Sequence, residues 1–171
     1  IVTNDDRFDD VIDAAKASGT AHPSRVIVIT YVDSSESRLD ATIEVGEGLP
    51  GDMVVLRLSG ELREHADAVC LPLLLPDSPT IAWWPNEAPA NLSKDLLGSM
   101  ASSRITDAMH SSNPRRTMDD LRRNRSAKDV DMSWTRLTVW RAMIASMLDQ
   151  PPHLPVSNVR VTGQKDYLPL D

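Results

Sequence analysis

One segment, residues 25–32, constrains the fold more than any other, because it reads Arg-Val-Ile-Val-Ile-Thr-Tyr-Val. Such a continuous run of β-branched side chains is typical of a strand buried on both faces, since a half-exposed strand alternates apolar and polar residues. A strand of this kind needs packed elements above and below its sheet. The run therefore predicts a central strand in a sheet that is covered on both sides.

Helical and strand-like patterns alternate on either side of this run. Residues 3–19 repeat apolar side chains at helical spacing and end at a glycine, which predicts a helix. Residues 39–45 and 53–58 alternate apolar and polar side chains, which predicts two more exposed strands joined as a hairpin. Residues 61–71 predict a second helix, and residues 80–84 predict a strand between two prolines. The alternation indicates an α/β protein with mixed sheets and packed helices.

A proline-rich, polar stretch at residues 86–93 divides the chain into two parts. We expect two subdomains, an N-terminal α/β domain at 1–91 and the start of a C-terminal α/β domain at 92–171. The second is predicted to contain a strand at 104–107, helices at 114–124 and 133–150, and a final strand at 156–162.

The helix at residues 133–150 has the strongest helical pattern in the chain. Its apolar stripe consists of Leu137, Trp140, Ile144, Met147 and Leu148. A stripe of this kind normally faces a core. We therefore expect Trp140 to be buried.

The charge and the apolar runs limit the class of partner. A formal net charge of -7 argues against nucleic acids and anionic membranes, which both require a basic surface. The longest apolar runs are much shorter than the about 20 residues that a membrane-spanning helix needs. The lone cysteine, Cys70, lies in an apolar stretch and cannot form an internal disulfide. These features predict a cytoplasmic protein that binds neither nucleic acid nor membrane.

The sequence contains none of the motifs that would indicate catalysis. It has no GxGxxG, no GxxxxGK[ST], no GxSxG and no HExxH. The four histidines, which are His22, His65, His110 and His153, lie far apart and form no pair at metal-ligand spacing. We therefore predict that the chain is not an enzyme and that it holds no cofactor or metal.

One basic segment interrupts the acidic chain. Six basic residues against two aspartates give residues 114–128 a charge of +4, which leaves -11 for the remainder. The segment has two interpretations, a solvated helix face or a docking patch for an acidic or phosphate-bearing partner.

All four tryptophans lie in two short blocks. Adjacent strand residues point to opposite faces, so one of Trp83 and Trp84 can be core while the other needs a cover. That cover is either the helix at 133–150 or a partner protein. In the second block, Trp134 and Arg141 share a helix face, as an interface anchor or as a structural cation-π pair. The candidate partner-binding residues are Trp83, Trp84, Trp134, Arg136 and Arg141.

Three motifs also carry a family resemblance. They are AWWPNEAP at residues 82–89, RITDA at 104–108 and WTRLTVWRAMIASMLDQPP at 134–152. In this order and spacing they resemble the glucose-6-phosphate dehydrogenase assembly protein family (OpcA). The resemblance implies a non-enzymatic subunit that binds glucose-6-phosphate dehydrogenase and promotes its oligomerisation or allosteric activation in the oxidative pentose phosphate pathway. Family members extend further at both ends, which implies that this chain is a central fragment.

A function of another class remains as the alternative. Arg104, Asp107 and the basic helix at 114–124 could surround an anion, as in a sugar-phosphate binding module or a degenerate enzyme. Salt-sensitive ligand binding would favour this alternative, whereas a stable complex with a dehydrogenase would favour the assembly function.

Overall fold

The computed structural model describes residues 1–19, 24–45, 51–153, 155–160 and 162. Over these residues the chain forms a four-stranded and a three-stranded sheet with short helices between the strands. The predicted class, α/β with mixed sheets and packed helices, is confirmed. His22, Gly46 and Gly48 lie outside the described residues.

The first sheet has the strand order β1-β2-β4-β3. Its strands are β1 (Val2–Asn4), β2 (Val26–Tyr31), β3 (Arg38–Glu44) and β4 (Met53–Ser59). β2 lies between β1 and β4 and is parallel to both, whereas β3 pairs antiparallel with β4 at the edge. Val28, Ile29 and Thr30 are buried, so the predicted central position of this β-branched run is confirmed.

The two strands that were predicted to be more exposed differ from each other. β3 is exposed along nearly its whole length, whereas β4 is almost entirely buried. The prediction is therefore wrong for β4, because that strand lies inside the sheet with packed residues on both faces. Its one charged residue, Arg57, contributes to the misleading pattern. The Arg57 guanidinium lies 4.8 Å from the centre of the Phe8 ring and 3.3 Å from the Asp5 carboxylate, which lets its stem cover apolar surface.

The helix predicted at residues 3–19 is confirmed in most of its length. α1 (Phe8–Gly19) follows a 3-10 turn at Asp5–Arg7, and the residues before that turn form the unpredicted strand β1. α1 packs Ile12 and Ala15 against Val28, Met53 and Val55 on one face of the first sheet.

The opposite face of the first sheet packs against the segment that follows β4. The helix predicted at 61–71 is a 3-10 helix at Gly60–His65, a short α2 (Ala66–Cys70) and a further 3-10 turn at Leu71–Leu73. The segment is helical as predicted, but only five residues of it are α-helical. Ala66 and Cys70 are buried in a cluster that also contains Ile29 and Leu56.

The second sheet has the order β5-β6-β7, and all of its strands are parallel. The strands are β5 (Ile81–Trp84), β6 (Ser103–Thr106) and β7 (Asp129–Asp131), and the crossovers contain α3 (Leu96–Met100) and α4 (Pro114–Asn124). These elements confirm the predicted strands at 80–84 and 104–107 and the predicted helix at 114–124.

α3 approaches the preceding loop so closely that only glycine fits at position 98. A Cβ on Gly98 would lie 1.9 Å from the carbonyl oxygen of Leu92. Leu92 itself is 2% exposed and belongs to the same cluster as Ile29 and Trp84. Core residues from before and after position 92 in the sequence therefore pack in one cluster. The domain division proposed at this position stays a prediction.

The helix predicted at 133–150 is broken into α5 (Met132–Arg136) and α6 (Thr138–Leu148). Leu137 lies at the break with φ -82° and ψ 1°. The prediction that the stripe is core is wrong. Trp140 is 65% exposed and Met147 is 72% exposed, because no element of the described chain covers them. The strand predicted at 156–162 is also wrong, since residues 155–160 and 162 adopt no regular structure.

Candidate partner-binding surface

The residues of α5 and α6, 132–148, form an extension of the second sheet that we call the arm. It begins directly after β7, where Asp131 caps α5 through a 2.9 Å hydrogen bond from the Ser133 N–H. The other oxygen of the Asp131 carboxylate accepts hydrogen bonds from the Thr106 hydroxyl and the Ala108 N–H, both at 2.8 Å. Asp131 thereby connects the start of the arm to the end of β6.

A second carboxylate holds the other end of α5. Both terminal nitrogens of Arg136 donate to Asp107, at 2.5 and 2.6 Å, and the Asp107 carboxylate also contacts Nδ1 of His110 at 2.8 Å. Burial alone would raise the pKa of Asp107, but the hydrogen bonds from Arg136 and His110 outweigh it and hold that pKa below its ordinary value. The same bond to Asp107 raises the pKa of Arg136. Arg136, a predicted partner-binding residue, is thus paired within the chain.

The arm exposes an unusually wide apolar surface on α6. Its large apolar side chains, each between 52% and 72% exposed, are Val139, Trp140, Met143, Ile144, Met147 and Leu148. At 100° per residue they cover about half of the helix circumference, which is wider than the stripe of an ordinary surface helix. An isolated helix of this length is only marginally stable in water, so a surface like this normally packs against another molecule or element.

Trp134 and Arg141 form a pair beside this surface. The Arg141 guanidinium lies 3.4 Å from the centre of the Trp134 ring, and its Nη1 donates to the Trp134 carbonyl at 2.7 Å. The cation-π pair considered from the sequence is present, but its members lie on two helices, Trp134 on α5 and Arg141 on α6. Trp134 is 62% exposed, so the stacked pair presents an indole and a cation to solvent. Its binding to a partner stays a prediction.

The tandem tryptophans point to opposite faces of β5, as the strand geometry predicts. Trp84 is 2% exposed and packs in the core cluster with Leu97. Trp83 is partly buried and lies in register with Ile105 and, one strand further, with Val130. Trp83 is therefore the member of the pair that a partner can reach without opening the core.

The residues proposed to surround an anion are engaged inside the protein. Arg104 is 6% exposed and donates to Asp129 at 2.5 Å, to the Gly98 carbonyl at 3.1 Å and to the Ser126 hydroxyl at 3.2 Å. Asp107 is occupied by Arg136 as described above. This arrangement argues against the anion-binding alternative, because neither side chain is free to meet a ligand.

The basic helix α4 has exposed arginines with partners on the same helix. Arg122 lies 3.5 Å from Asp119, and Arg116 and Arg123 lie 3.8 and 3.9 Å from Asp120. Exposed pairs of this kind contribute little to stability. The solvated face and the docking patch both remain compatible with α4.

A cleft of about 280 Å³ lies at the carboxyl ends of β1, β2 and β5. Its polar lining includes Asn4, Tyr31, Glu87 and Asp95, and no lysine or arginine of the described chain lines it. Burial, followed by the charge of Asp95, raises the pKa of Tyr31. A lining that contains Glu87 and Asp95 does not suit a phosphate-bearing ligand in this cleft.

The described residues contain no group of three or more histidine, cysteine or carboxylate side chains placed to hold a metal ion. No helix among them has the length and apolar character needed to cross a membrane.

The two aspartates that hold the arm were not among the predicted partner-binding residues, although the sequence contains a signal for each. Asp131 directly precedes Met132, at which α5 begins, and aspartate is a preferred N-cap residue. Asp107 is the last residue of the strand predicted at 104–107, and the carboxyl ends of parallel strands are where side chains meet neighbouring elements.

Comparison with known proteins gives two matches to family models. The glucose-6-phosphate dehydrogenase subunit N-terminal domain matches residues 14–123, and the C-terminal domain of the same subunit matches residues 127–171. No curated protein and no solved structure matches the chain. Since the two family models cover almost the whole sequence, the chain belongs to the glucose-6-phosphate dehydrogenase assembly protein family (OpcA).

Proposed function

We propose that this chain binds glucose-6-phosphate dehydrogenase and promotes its oligomerisation, and thereby its activation, without catalysing a reaction itself. The family is that of a dehydrogenase subunit and not of an enzyme with its own chemistry. We place this role in the cytoplasm, where the lone Cys70 would stay reduced.

The observation that carries the proposal is the apolar surface of α6. Trp140, Met143 and Met147 are each more than half exposed. Large aromatic side chains supply much of the binding free energy of protein interfaces, and methionines adapt their shape to the facing surface. A helix with one wide apolar face is the kind of element that docks into an apolar groove of a partner.

The stacked pair of Trp134 and Arg141 supports the same surface. Tryptophan and arginine are enriched among the residues that dominate interface energetics. Arg141 is also held by the Trp134 carbonyl, so its side chain loses less conformational freedom on binding than an unrestrained arginine would.

Co-purification with the dehydrogenase, followed by size analysis, tests the proposal. Addition of this chain should shift the dehydrogenase to a larger species and raise its activity, while the chain alone should not turn over glucose 6-phosphate. Arg141→Ala should weaken association by about 2 kcal/mol. The matched control is Arg38→Ala, which removes an exposed arginine from the edge strand β3. Failure of the chain to associate with the dehydrogenase, or turnover by the chain alone, would contradict the proposal.

A further inference from the structure

The contacts of Arg136 indicate how the arm is held against the second sheet. Arg136 is one of the residues that the sequence suggests as a contact with the partner. In the structure its two terminal nitrogens donate to the two oxygens of the Asp107 carboxylate. A bidentate pair fixes the guanidinium in both position and plane. Arg136 therefore has little remaining freedom to bind a side chain of another protein.

Asp107 is held firmly without help from the arm. It is 5% exposed and follows the last residue of β6. Its backbone N–H donates to the Trp84 carbonyl at 3.2 Å, at the end of β5. The carboxylate also contacts His110 at 2.8 Å. Asp107 is thus a fixed point of the second sheet to which the arm is attached.

Arg136 occupies the position at which the direction of the arm is set. It is the last residue of α5, and the helix breaks at the next residue, Leu137, before α6 begins. The start of α5 is held separately by Asp131. Attachments at both ends fix the direction of this five-residue helix, and the direction of α5 in turn determines where α6 points.

We propose that Arg136 and Asp107 are positioning residues, which set the angle at which the arm leaves the second sheet and so present the apolar face of α6 to the dehydrogenase. Arg136 does this without touching the partner. The effect on binding rests on the proposed function, whereas the restraint on the arm is a property of this chain alone.

A double-mutant cycle separates positioning from contact. The variants are Arg136→Met, Asp107→Asn and the double variant, and the measurement is the Kd of each full chain for the dehydrogenase. If Arg136 acts only through Asp107, each single variant should raise Kd about tenfold and the double variant should raise it no further, because coupled residues are not additive. An additive loss of about a hundredfold, or an unchanged Kd in either single variant, would overturn the proposal.

Two further sets of variants sharpen the cycle. Arg136→Lys keeps the charge but loses the two-pronged geometry of the guanidinium, so it should bind as weakly as Arg136→Met. Wild-type affinity of Arg136→Lys would show that charge suffices and would contradict the bidentate attachment. The matched control is the exposed pair of Arg38 and Asp40 on β3, whose atoms lie 2.8 Å apart. Arg38→Met and Asp40→Asn should leave Kd unchanged.

Hydrogen exchange of the isolated chain tests the restraint without the dehydrogenase. In Arg136→Met and Asp107→Asn the amides of α5 should exchange faster, whereas those of β2 and β4 should exchange as in the wild type. Unchanged exchange in α5, or faster exchange throughout the chain, would overturn the positioning role. If the wild-type chain fails to bind the dehydrogenase, the proposed function fails while this measurement still decides the role of Arg136.

Discussion

Trp84 and Trp140 both belong to segments with an apolar pattern, but they have opposite environments. Trp84 ends a short strand and is buried among residues of both sheets, at 2% exposure. Trp140 lies on a helix with an apolar stripe and is 65% exposed. The comparison shows that an apolar pattern indicates that a face will be covered, but it does not indicate whether the covering element belongs to the same chain.

The surroundings of the two residues explain the difference. α3 passes so close to the loop before it that position 98 accepts only glycine, and this close approach buries Trp84. The arm, in contrast, is held by side-chain hydrogen bonds of Asp107 and Asp131 at the two ends of α5. α6 beyond these attachments packs against no other element of the described chain closely enough to bury a single side chain.

The largest expected effect of a substitution is a loss of stability at the buried tryptophan. Trp84→Ala should lower the free energy of unfolding by about 3 to 5 kcal/mol, because it leaves a cavity in the core. Trp140→Ala should lower it by less than about 1 kcal/mol, as expected for an exposed side chain. Denaturant unfolding of both variants measures the difference. Equal losses of stability would show that α6 packs on this chain in solution and that Trp140 is buried like Trp84.

The next largest effect concerns binding to the dehydrogenase, for which Trp140 should matter more than Trp84. Trp140→Ala should weaken association with the dehydrogenase by about 2 kcal/mol while the melting temperature stays near that of the wild type. Titration of dehydrogenase binding by each variant, alongside its melting curve, checks this prediction. Val156→Ala is a suitable control, because Val156 is 57% exposed but lies outside the arm. Normal binding by Trp140→Ala would place the interface elsewhere.

Much of the fold follows from local sequence patterns. The β-branched run at 25–32 indicates a central strand because half-exposed strands usually alternate apolar and polar residues. Pro114 at the first turn and Asn113 as the cap specify the start of α4, where the Asn113 side chain accepts a hydrogen bond from the Arg116 N–H. In such places the local structure depends on residues that are adjacent in sequence, so the sequence alone predicts it.

The remaining features depend on contacts between distant segments. The burial of β4 follows from its position between β2 and β3, which its own alternation does not reveal. The break at Leu137 interrupts a pattern that is compatible with one continuous helix. The candidate surface was predicted in part: Trp134 and Arg141 stack as expected. The pairing of Arg136 with Asp107 joins residues 29 positions apart, and no local pattern predicts it.

A smaller effect should appear in the pH dependence of stability. The pKa of Asp107 in the folded chain lies below its ordinary value of 3.8, so the folded state favours the ionised carboxylate. Its contribution to stability is therefore complete at neutral pH and is lost as the pH falls through about 4 and below. Arg136 stays charged over this range, and His110 also contacts the carboxylate.

Asp107→Asn tests this dependence, because the amide keeps the shape of the side chain but does not ionise. The difference in the free energy of unfolding between wild type and variant should be largest at neutral pH and should shrink in acid. Val156→Ala removes no ionisable group and lies outside the arm, so this variant should show the same pH dependence as the wild type. A difference between wild type and Asp107→Asn that is constant from pH 7 to pH 3 would contradict the assignment.

The smallest expected effect concerns the basic helix α4. Its arginines are expected to lie at the rim of the interface, whereas α6 is expected to supply the anchoring side chains. Arg122 and Arg123 are exposed and have only weak partners on their own helix, at 3.5 and 3.9 Å. If the arm supplies the affinity, replacing both by glutamine should slow association and reduce its dependence on salt, with little change in the dissociation rate. Stopped-flow or surface-based kinetics at two ionic strengths measures each rate. Should this double variant abolish the complex while Trp140→Ala and Arg141→Ala bind normally, the interface lies on α4, and the exposed face of α6 must be covered by something other than the dehydrogenase.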